Sequence, residues 1–481
     1  MALEFLDHIS RIIPSIKGPG APLSLREKMM WTGVIIVVYF LMYNTKAIGL
    51  NPVAVSAPIQ QLISILFAAK TGSIITVGIS PIVLSSILLQ LINGSGIIKL
   101  DVNDPQQKAR FQTLQKSLAI TIALVESSIF VSTGYVLAAS QAMVVPVILQ
   151  LTLGSIFIIY LDEMMSKYGV TSGLNLFIAS GVSYSIIAGT FGVLLPTAIQ
   201  AVASGGATAL SNAVIAFIPL FVAIAVFVFS IYIYEIKVEL PLAFDQFRGV
   251  GGRLPLPLLY VSVLPVILAS SLEFSLTVWL HFLSGVTGPL QSLARFVAYY
   301  PPQNQGLIGG GLAYLIAPLS PPATTYTTVG GYSTYITTLI TGTSQLYMPW
   351  GGFVLVPEWI HIIIYTLVLV GLCVIFGRFW IEMTGQSPKN ISEQLGDMGW
   401  QIPGFRRDPR IVENVLNKYI PTLTMVGSIF VGLLAALANI SGAIGTGMGI
   451  LLTVGIIYML YQQLKTDQLY ETYPLLSKIT K

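Results

Sequence analysis

Two carboxylates, Glu126 in IALVESSIFVS and Glu273 in LASSLEFSL, lie inside strongly apolar runs of this 481-residue chain. An ionisable group placed at membrane depth is costly, so it is by default a candidate for proton transfer, ion binding or substrate contact. Proton or ion chemistry needs several such groups to converge, and these two stand alone in separate runs. The plainer reading is an acid satisfied by Gln, Ser or Asn side chains of neighbouring helices. The three histidines, His8, His281 and His361, are scattered with no two at ligand spacing, and Cys373, the one cysteine, sits in an apolar stretch. That excludes a His/Cys metal site and a disulfide framework. The glycine-rich phrase GAIGTGMG (442–449) opens an apolar run with no strand ahead of it, so it reads as close helix packing through small residues and not as a phosphate cradle. No nucleotide-binding motif is present, and no cofactor is implied.

What remains is a scaffold with little chemistry of its own. Hydrophobic residues make up 54% of the chain and charged residues 9%, against about 25% charged in a soluble protein. This is the composition of a polytopic membrane protein. Apolar runs of spanning length fall near 29–45, 74–93, 117–139, 142–161 and 174–195, then 210–233, 256–275, 357–380, 419–439 and 443–463. The letters show no strong repeat, but with ten spans in two sets of five, parity alone would invert two equivalent halves relative to each other, since each crosses an odd number of times. The expected class is therefore an all-α polytopic membrane protein, with about ten transmembrane helices in two inverted five-helix halves. With the first loop placed outside, 21 of the 24 Lys and Arg fall on inner segments, leaving only Lys46, Lys70 and Arg295 outside. Both termini are then expected in the cytoplasm.

The domain plan follows. Residues 1–28 are an inner N-terminal segment, in which Leu3, Leu6, Ile9 and Ile13 recur at helical spacing and predict an interfacial amphipathic helix. Acids among its bases and the lack of an apolar core argue against a signal peptide. Residues 29–195 form the first half, 196–209 an outer linker, 210–464 the second half and 465–481 an inner tail.

One stretch does not fit a simple span. In PIQQLISILFAAKTGSIITVGISPIVLSSILLQLINGSG (58–96) the pair Gly72 and Ser73 cuts the run, leaving a full span from Ile74 to Asn93 behind a half-helix too short to cross. Two inner loops, 234–257 and 382–421, carry Gly/Pro turns with exposed bases: Arg248 and Arg253 on the first, Arg406, Arg407 and Arg410 on the second. Basic inner loops accord with the positive-inside rule. Two basic fingers on one face also suit a polyanion such as ribosomal RNA. The outer segment 276–356 is rich in Gly, Pro, Thr and Tyr and nearly uncharged.

Taken together, GISPIVLSSILLQLINGSGII (78–98), LDEMMSKYGVTSGLNLFIASGV (161–182), VELPLA (238–243), FWIEMTGQSPKNI (379–391) and GFRRDPRIVENVLNKYIP (404–421) resemble the SecY family, archaeal members above all. This is the channel-forming subunit of the Sec protein translocon. The resemblance implies a protein-conducting channel that passes unfolded polypeptide across the membrane, releases transmembrane segments sideways into lipid, and is not an enzyme. It implies a plug at about 58–70, with Pro58, Ile59, Leu62, Ile65, Leu66 and Lys70 on it and Gly72 and Ser73 as its hinge. It implies an aliphatic pore ring of Ile79, Val83, Leu174, Ile178, Ile267 and Leu452, and a lateral gate between spans 2 and 3 on one side and 7 and 8 on the other. Gln90, Asn93 and Glu126 then line that gate, and Arg248, Arg253, Arg406 and Arg407 dock a ribosome. The implied partners are a SecE-like subunit, a SecG-like or beta-type small subunit, the ribosome, the translocating polypeptide with its signal sequence, and membrane lipid. Thr171, where the family commonly has glycine, and Glu273, in an uncharged region of span 7, depart from the pattern. A secondary transporter shares ten spans and broken helices, but its midplane breaks should be polar. Here they carry Ile79, Val83 and Ile178. A membrane hydrolase needs acid pairs or His clusters that this chain lacks.

Overall fold

The computed structural model describes residues 14–21, 23–51, 69–94, 105–132, 136–244, 251–261, 264–280, 288, 290–299, 311–319, 321–322, 324–350, 352–397, 400–401 and 409–472. The expected amphipathic helix before residue 14, the plug residues Pro58, Ile59, Leu62, Ile65 and Leu66, and the basic tips at Arg248, Arg406 and Arg407 lie outside them.

Helix α1 (Leu25–Asn44) begins at a capping box in which Ser24 and Glu27 satisfy each other's backbone N–H groups. The first half continues with α2 (Ser80–Gly94), α3 (Pro105–Ser132), α4 (Val144–Tyr168) and α5 (Gly173–Gly189), the last prolonged through a π turn at Thr190–Leu194 into α6 (Leu195–Ala203). Helices α7 (Ala209–Ala216) and α8 (Ile218–Glu235) make one broken crossing, after which strands β1 (Lys237–Phe244) and β2 (Gly251–Pro257) form an antiparallel hairpin. Next come α9 (Leu264–Leu280), the short outer helices α10 (Gln291–Val297), α11 (Leu312–Ile316), α12 (Thr324–Thr327) and α13 (Gly331–Thr341), and the hairpin β3 (Thr343–Tyr347) and β4 (Phe353–Pro357). The chain ends with α14 (Glu358–Met383), α15 (Pro388–Asp397), β5 (Trp400–Gln401), α16 (Pro409–Ile440) and α17 (Gly447–Thr472).

Among the described residues seven helical segments are long and apolar enough to cross a membrane, and Ser80–Asn93 and Leu264–Thr277 are shorter apolar helices. With α1 they match the ten expected spans one for one, five on each side of the linker.

Several boundaries differ from expectation: span 9, for one, starts at Pro409 and not at residue 419, and span 5 runs on to Ala203. Span 2 starts at Ser80 and not at Ile74, because residues 74–79 form buried turns, with Gly78 at φ 57°. Irregular backbone at membrane depth survives only where protein covers it, and here α4 does so: a Cβ on Gly154 would collide with the Ile74 carbonyl oxygen. Span 3 begins at Pro105 and not at Ser117, since its polar first turns extend beyond the membrane as ordinary helix. Span 7 begins at Leu264 and not at residue 256, because β2 takes Gly251–Pro257 into pairing with β1.

The all-helical expectation thus needs two small sheets added. In the inner one, ordered β2, β1, β5, the motif VELPLA is the central strand. Its Pro241 faces Arg253 on β2, while β5 pairs only with Ala243 and Phe244, so proline takes no place where two neighbours need an N–H.

The main apolar core runs through both halves. Among the described residues the halves meet where α17 packs against α1 and α5 and where α2 packs against α9 and α14, with a further contact of α12 on the π turn.

Candidate functional site

Six aliphatic side chains from four helical segments belong to the main core. Ile79 precedes α2, and its carbonyl accepts from the N–H groups of Ile82 (3.0 Å) and Val83 (3.2 Å). Leu174 and Ile178 sit one turn apart on α5, Ile267 lies on α9, and Leu452 lies on α17. All belong to one apolar cluster; Leu174 is half-buried and the other five are no more than 2% exposed. These are the residues expected as a pore ring. Two helices of each half supply them, and none carries a hydrogen-bonding group.

Buried polar residues hold those helices in place. Asp162 of the LDE motif accepts from the Leu174 N–H at 2.7 Å, closing the first turn of α5. Gly173 allows the approach, since a Cβ there would stand 2.7 Å from the Asp162 Cα. Glu163 meets Lys116 at 2.7 Å and Lys167 at 2.8 Å, and accepts from the Ile16 N–H, so it ties the segment before α1 to α3 and α4. At the other end, Asn439 accepts from the Met448 N–H at 3.1 Å and donates to the Tyr365 hydroxyl at 2.9 Å, which fixes the start of α17. The GAIGTGMG phrase is the turn between α16 and α17: Gly442 and Gly445 take positive φ, and Gly447 packs directly on Ala438.

The expected gate residues are placed as follows. Glu126 on α3 accepts from the Ser80 hydroxyl on α2 at 2.9 Å, and its second oxygen has no partner. This bond joins spans 2 and 3, within one side of the seam. Gln90 is buried and donates to Ser86 at 3.1 Å; Asn93 is half-buried one turn further on. Both lie near the far end of α2 from Ser80, about 15 Å or more along the helix, so the three residues do not form one cluster. Helix α2 itself packs on α9 and α14, the seam expected for the gate. On α9, Glu273 is buried with neither carboxylate oxygen bonded. No metal-binding group of three His, Cys, Asp or Glu occurs among the described residues.

Gly72 and Ser73, the residues expected as a hinge, form an ordered turn. Gly72 has φ 85°, its N–H donates to Thr76 Oγ1 at 3.0 Å, and its carbonyl accepts from Ala47 N–H at 3.0 Å. Ser73 Oγ donates to the Lys70 carbonyl at 2.7 Å, and Lys70 Nζ lies 5.9 Å over the Tyr43 ring. This turn is pinned to the end of α1. Gly72→Ala should destabilise by about 1–2 kcal/mol through left-handed strain, since a Cβ has room, with Leu50 the nearest atom at 3.9 Å. Gly33→Ala on open helix surface is the control. A thermal midpoint for Gly72→Ala equal to that of Gly33→Ala would refute the strain.

Ser80, Asp162 and Asn439 were missed in the sequence. A pairing over 46 positions, as between Ser80 and Glu126, leaves no local signal; only the position of Asp162 in LDE, ahead of an apolar helix start, hinted at a cap.

Strand β5 brings the loop after α14 onto the hairpin after α8, so the two basic loops are bonded to each other. Of the four expected docking residues only Arg253 is described, by its backbone, opposite Pro241. Tyr260 donates to the Gln386 carbonyl at 3.0 Å across the same junction, and burial pushes its phenol up to about 12.

Residues 73–461 match the SecY family model. A protein translocase subunit SecY of Methanococcus vannielii is 35% identical over 98% of both chains. A solved SecY structure, described by a plug domain that stabilises the closed state of the translocation channel, is 33% identical, with TM-score 0.77 over 98% of this chain and 99% of that one. Sec61 from a canine ribosome-channel complex is 33% identical, with TM-score 0.75 over the same shares. Full-length identity, the shared fold and the family motifs seated at the helix ends and strands that build this core agree: the chain belongs to the SecY family of multi-pass membrane proteins.

Proposed function

We propose that this chain is the channel-forming subunit of a protein translocon, which threads unfolded polypeptide between its halves and opens toward lipid along the seam of α2 with α9 and α14. The observation that supports this reading is that Ile79, Val83, Leu174, Ile178, Ile267 and Leu452, the residues assigned to an apolar waist, come from both halves and belong to one apolar cluster. Side chains without donors or acceptors let any peptide sequence slide past, and a narrow apolar constriction dewets against ions. The waist does no chemistry. A signal segment entering the seam gains by moving its apolar surface into lipid.

In this reading residues 29–195 and 210–464 are the two halves, joined by 196–209. Both termini face the cytoplasm, as the distribution of Lys and Arg supports. The bonded inner loops carry Arg248, Arg253, Arg406 and Arg407 toward a ribosome, the partner of the canine relative. A SecE-like subunit clamps the halves, and a SecG-like or beta-type subunit sits beside it. Work comes from the translating ribosome.

Pro58 to Lys70 acts as the plug, hung from the turn at Gly72. Deleting these residues should raise ion conductance of the complex in planar bilayers severalfold while polypeptide still crosses. Wild-type conductance after deletion would remove the plug from the account.

A further inference from the structure

The outer segment 276–356 carries a single charged residue, Arg295. A water-facing stretch of that length would hold about a quarter charged residues. Its last element, the β3–β4 hairpin, shows what the apolar character faces. Pairing sets Ser344 opposite Val356 and Leu346 opposite Val354 on one side, and Gln345 opposite Leu355 and Tyr347 opposite Phe353 on the other. Leu346 and Val356 of the first side pack in a satellite cluster with Tyr314 and Leu315, while Val354 stays 40% exposed. On the second, Tyr299 stacks over Tyr347 with ring centres 5.4 Å apart, and beside the exposed Thr343 and Gln345 of β3 large apolar groups stand out: Phe353 is 49% exposed, Leu355 64%, and Trp350 at the tip 76%. A strand with one face in water alternates apolar with polar. FVLVP does not alternate, so both of its faces call for apolar surroundings.

The adjoining helix says which surroundings. Trp359, Ile363 and Leu367 of α14 are all exposed and recur every four residues, forming the lipid-facing stripe of a helix that crosses the bilayer. That stripe begins two residues after β4 ends. The satellite cluster joins Met348, beside the hairpin tip, with Ile364, about 9 Å down α14 from its start. The hairpin is therefore folded toward the span instead of standing away from it. A polar clasp holds it there: Glu358 accepts from the hydroxyls of Tyr314, at 2.5 Å, and Ser344, and His361 Nε2 bonds the Ala317 carbonyl at 3.1 Å.

We propose that the β3–β4 hairpin lies in the lipid headgroup and glycerol region at the mouth of the channel, with Trp350, Phe353 and Leu355 inserted as an interfacial anchor continuous with the α14 stripe. Tryptophan at this depth keeps its ring among apolar groups and its indole N–H near water. The anchor holds the outer end of a gate helix, α14, at fixed depth against the bilayer. The inference rests on α14 crossing the membrane and not on the plug, the ring or the ribosome contact.

The native cysteine, Cys373, is buried, so single nitroxide labels can be read in the whole complex in liposomes. Labels at Trp350→Cys and Leu355→Cys are compared with Leu367→Cys as the lipid reference and Lys46→Cys as the aqueous one. The expected result is collision with oxygen near the Leu367→Cys level and a severalfold loss of nickel-chelate collisions relative to Lys46→Cys. Nickel-chelate access equal to Lys46→Cys overturns the proposal in favour of a hairpin in water. Exclusion of both reagents overturns it in favour of a covering subunit or second copy. Quenching of Trp350 by brominated lipid, lost in Trp350→Phe, reads the same depth without a label.

Discussion

Serine at Ile79, Ile178 and Ile267 together turns the resting complex into an ion leak, with conductance at least about tenfold above wild type. These side chains come from α2's leading turn, α5 and α9, and each is at most 2% exposed. Burying an isoleucine is worth about 1.5–3 kcal/mol relative to leaving it in water. Three hydroxyls in place of three aliphatic groups lower the cost of wetting the waist by several kcal/mol, and each 1.4 kcal/mol off a barrier is about tenfold in rate. Leucine at the same three positions keeps the apolar lining and should keep the seal. Planar-bilayer conductance separates the two sets. If the serine variant is as tight as the leucine variant, the six residues are core packing and the channel runs elsewhere.

The second large effect is at the basic loops. Glutamate at Arg406 and Arg407 should weaken ribosome binding by about 10- to 100-fold near 0.1 M salt. It should also flatten the dependence of log affinity on log salt by about 0.9 per lost phosphate contact. A large effect is expected because β5 bonds this loop to the hairpin that carries Arg253, and in the proposed function both loops serve one polyanionic partner. Co-sedimentation with ribosomes across a salt series measures both quantities. Affinity unchanged at low salt would leave the arginines as orientation signals alone.

The ten crossings were legible because apolar runs of spanning length leave few alternatives in a chain with 9% charge. Their ends were less so. Residues 74–79 read as membrane helix by composition, and only the backbone of α4 at Gly154, distant in sequence, lets an irregular turn persist there. VELPLA hid its strand because proline argues against a central strand until the pairing shows where β5 stops. For the waist, single positions carried no signal of their own; isoleucine in an apolar run is ordinary, and the resemblance singled out the six. Glu126 was visible as an intramembrane acid, yet its partner Ser80 was not, since small hydroxyls abound along α2. Glu273 was flagged as a departure, and it stands buried without a bonded oxygen. The Glu358 and His361 pair is one turn apart in α14 and carries no metal-ligand pattern in the sequence. Its partners, Tyr314 and Ser344, are set beside it by the fold of the outer segment.

The central claim, that polypeptide passes through the apolar waist, is tested by photocrosslinking. A photoreactive residue is placed at Ile79, Ile178 or Ile267, with Leu367 on the exposed stripe of α14 as the control. A ribosome-held secretory chain is then trapped in membranes. Crosslinks from all three waist positions and none from Leu367 are the predicted result. No crosslink from any waist position, with the chain engaged in the complex, would contradict the account.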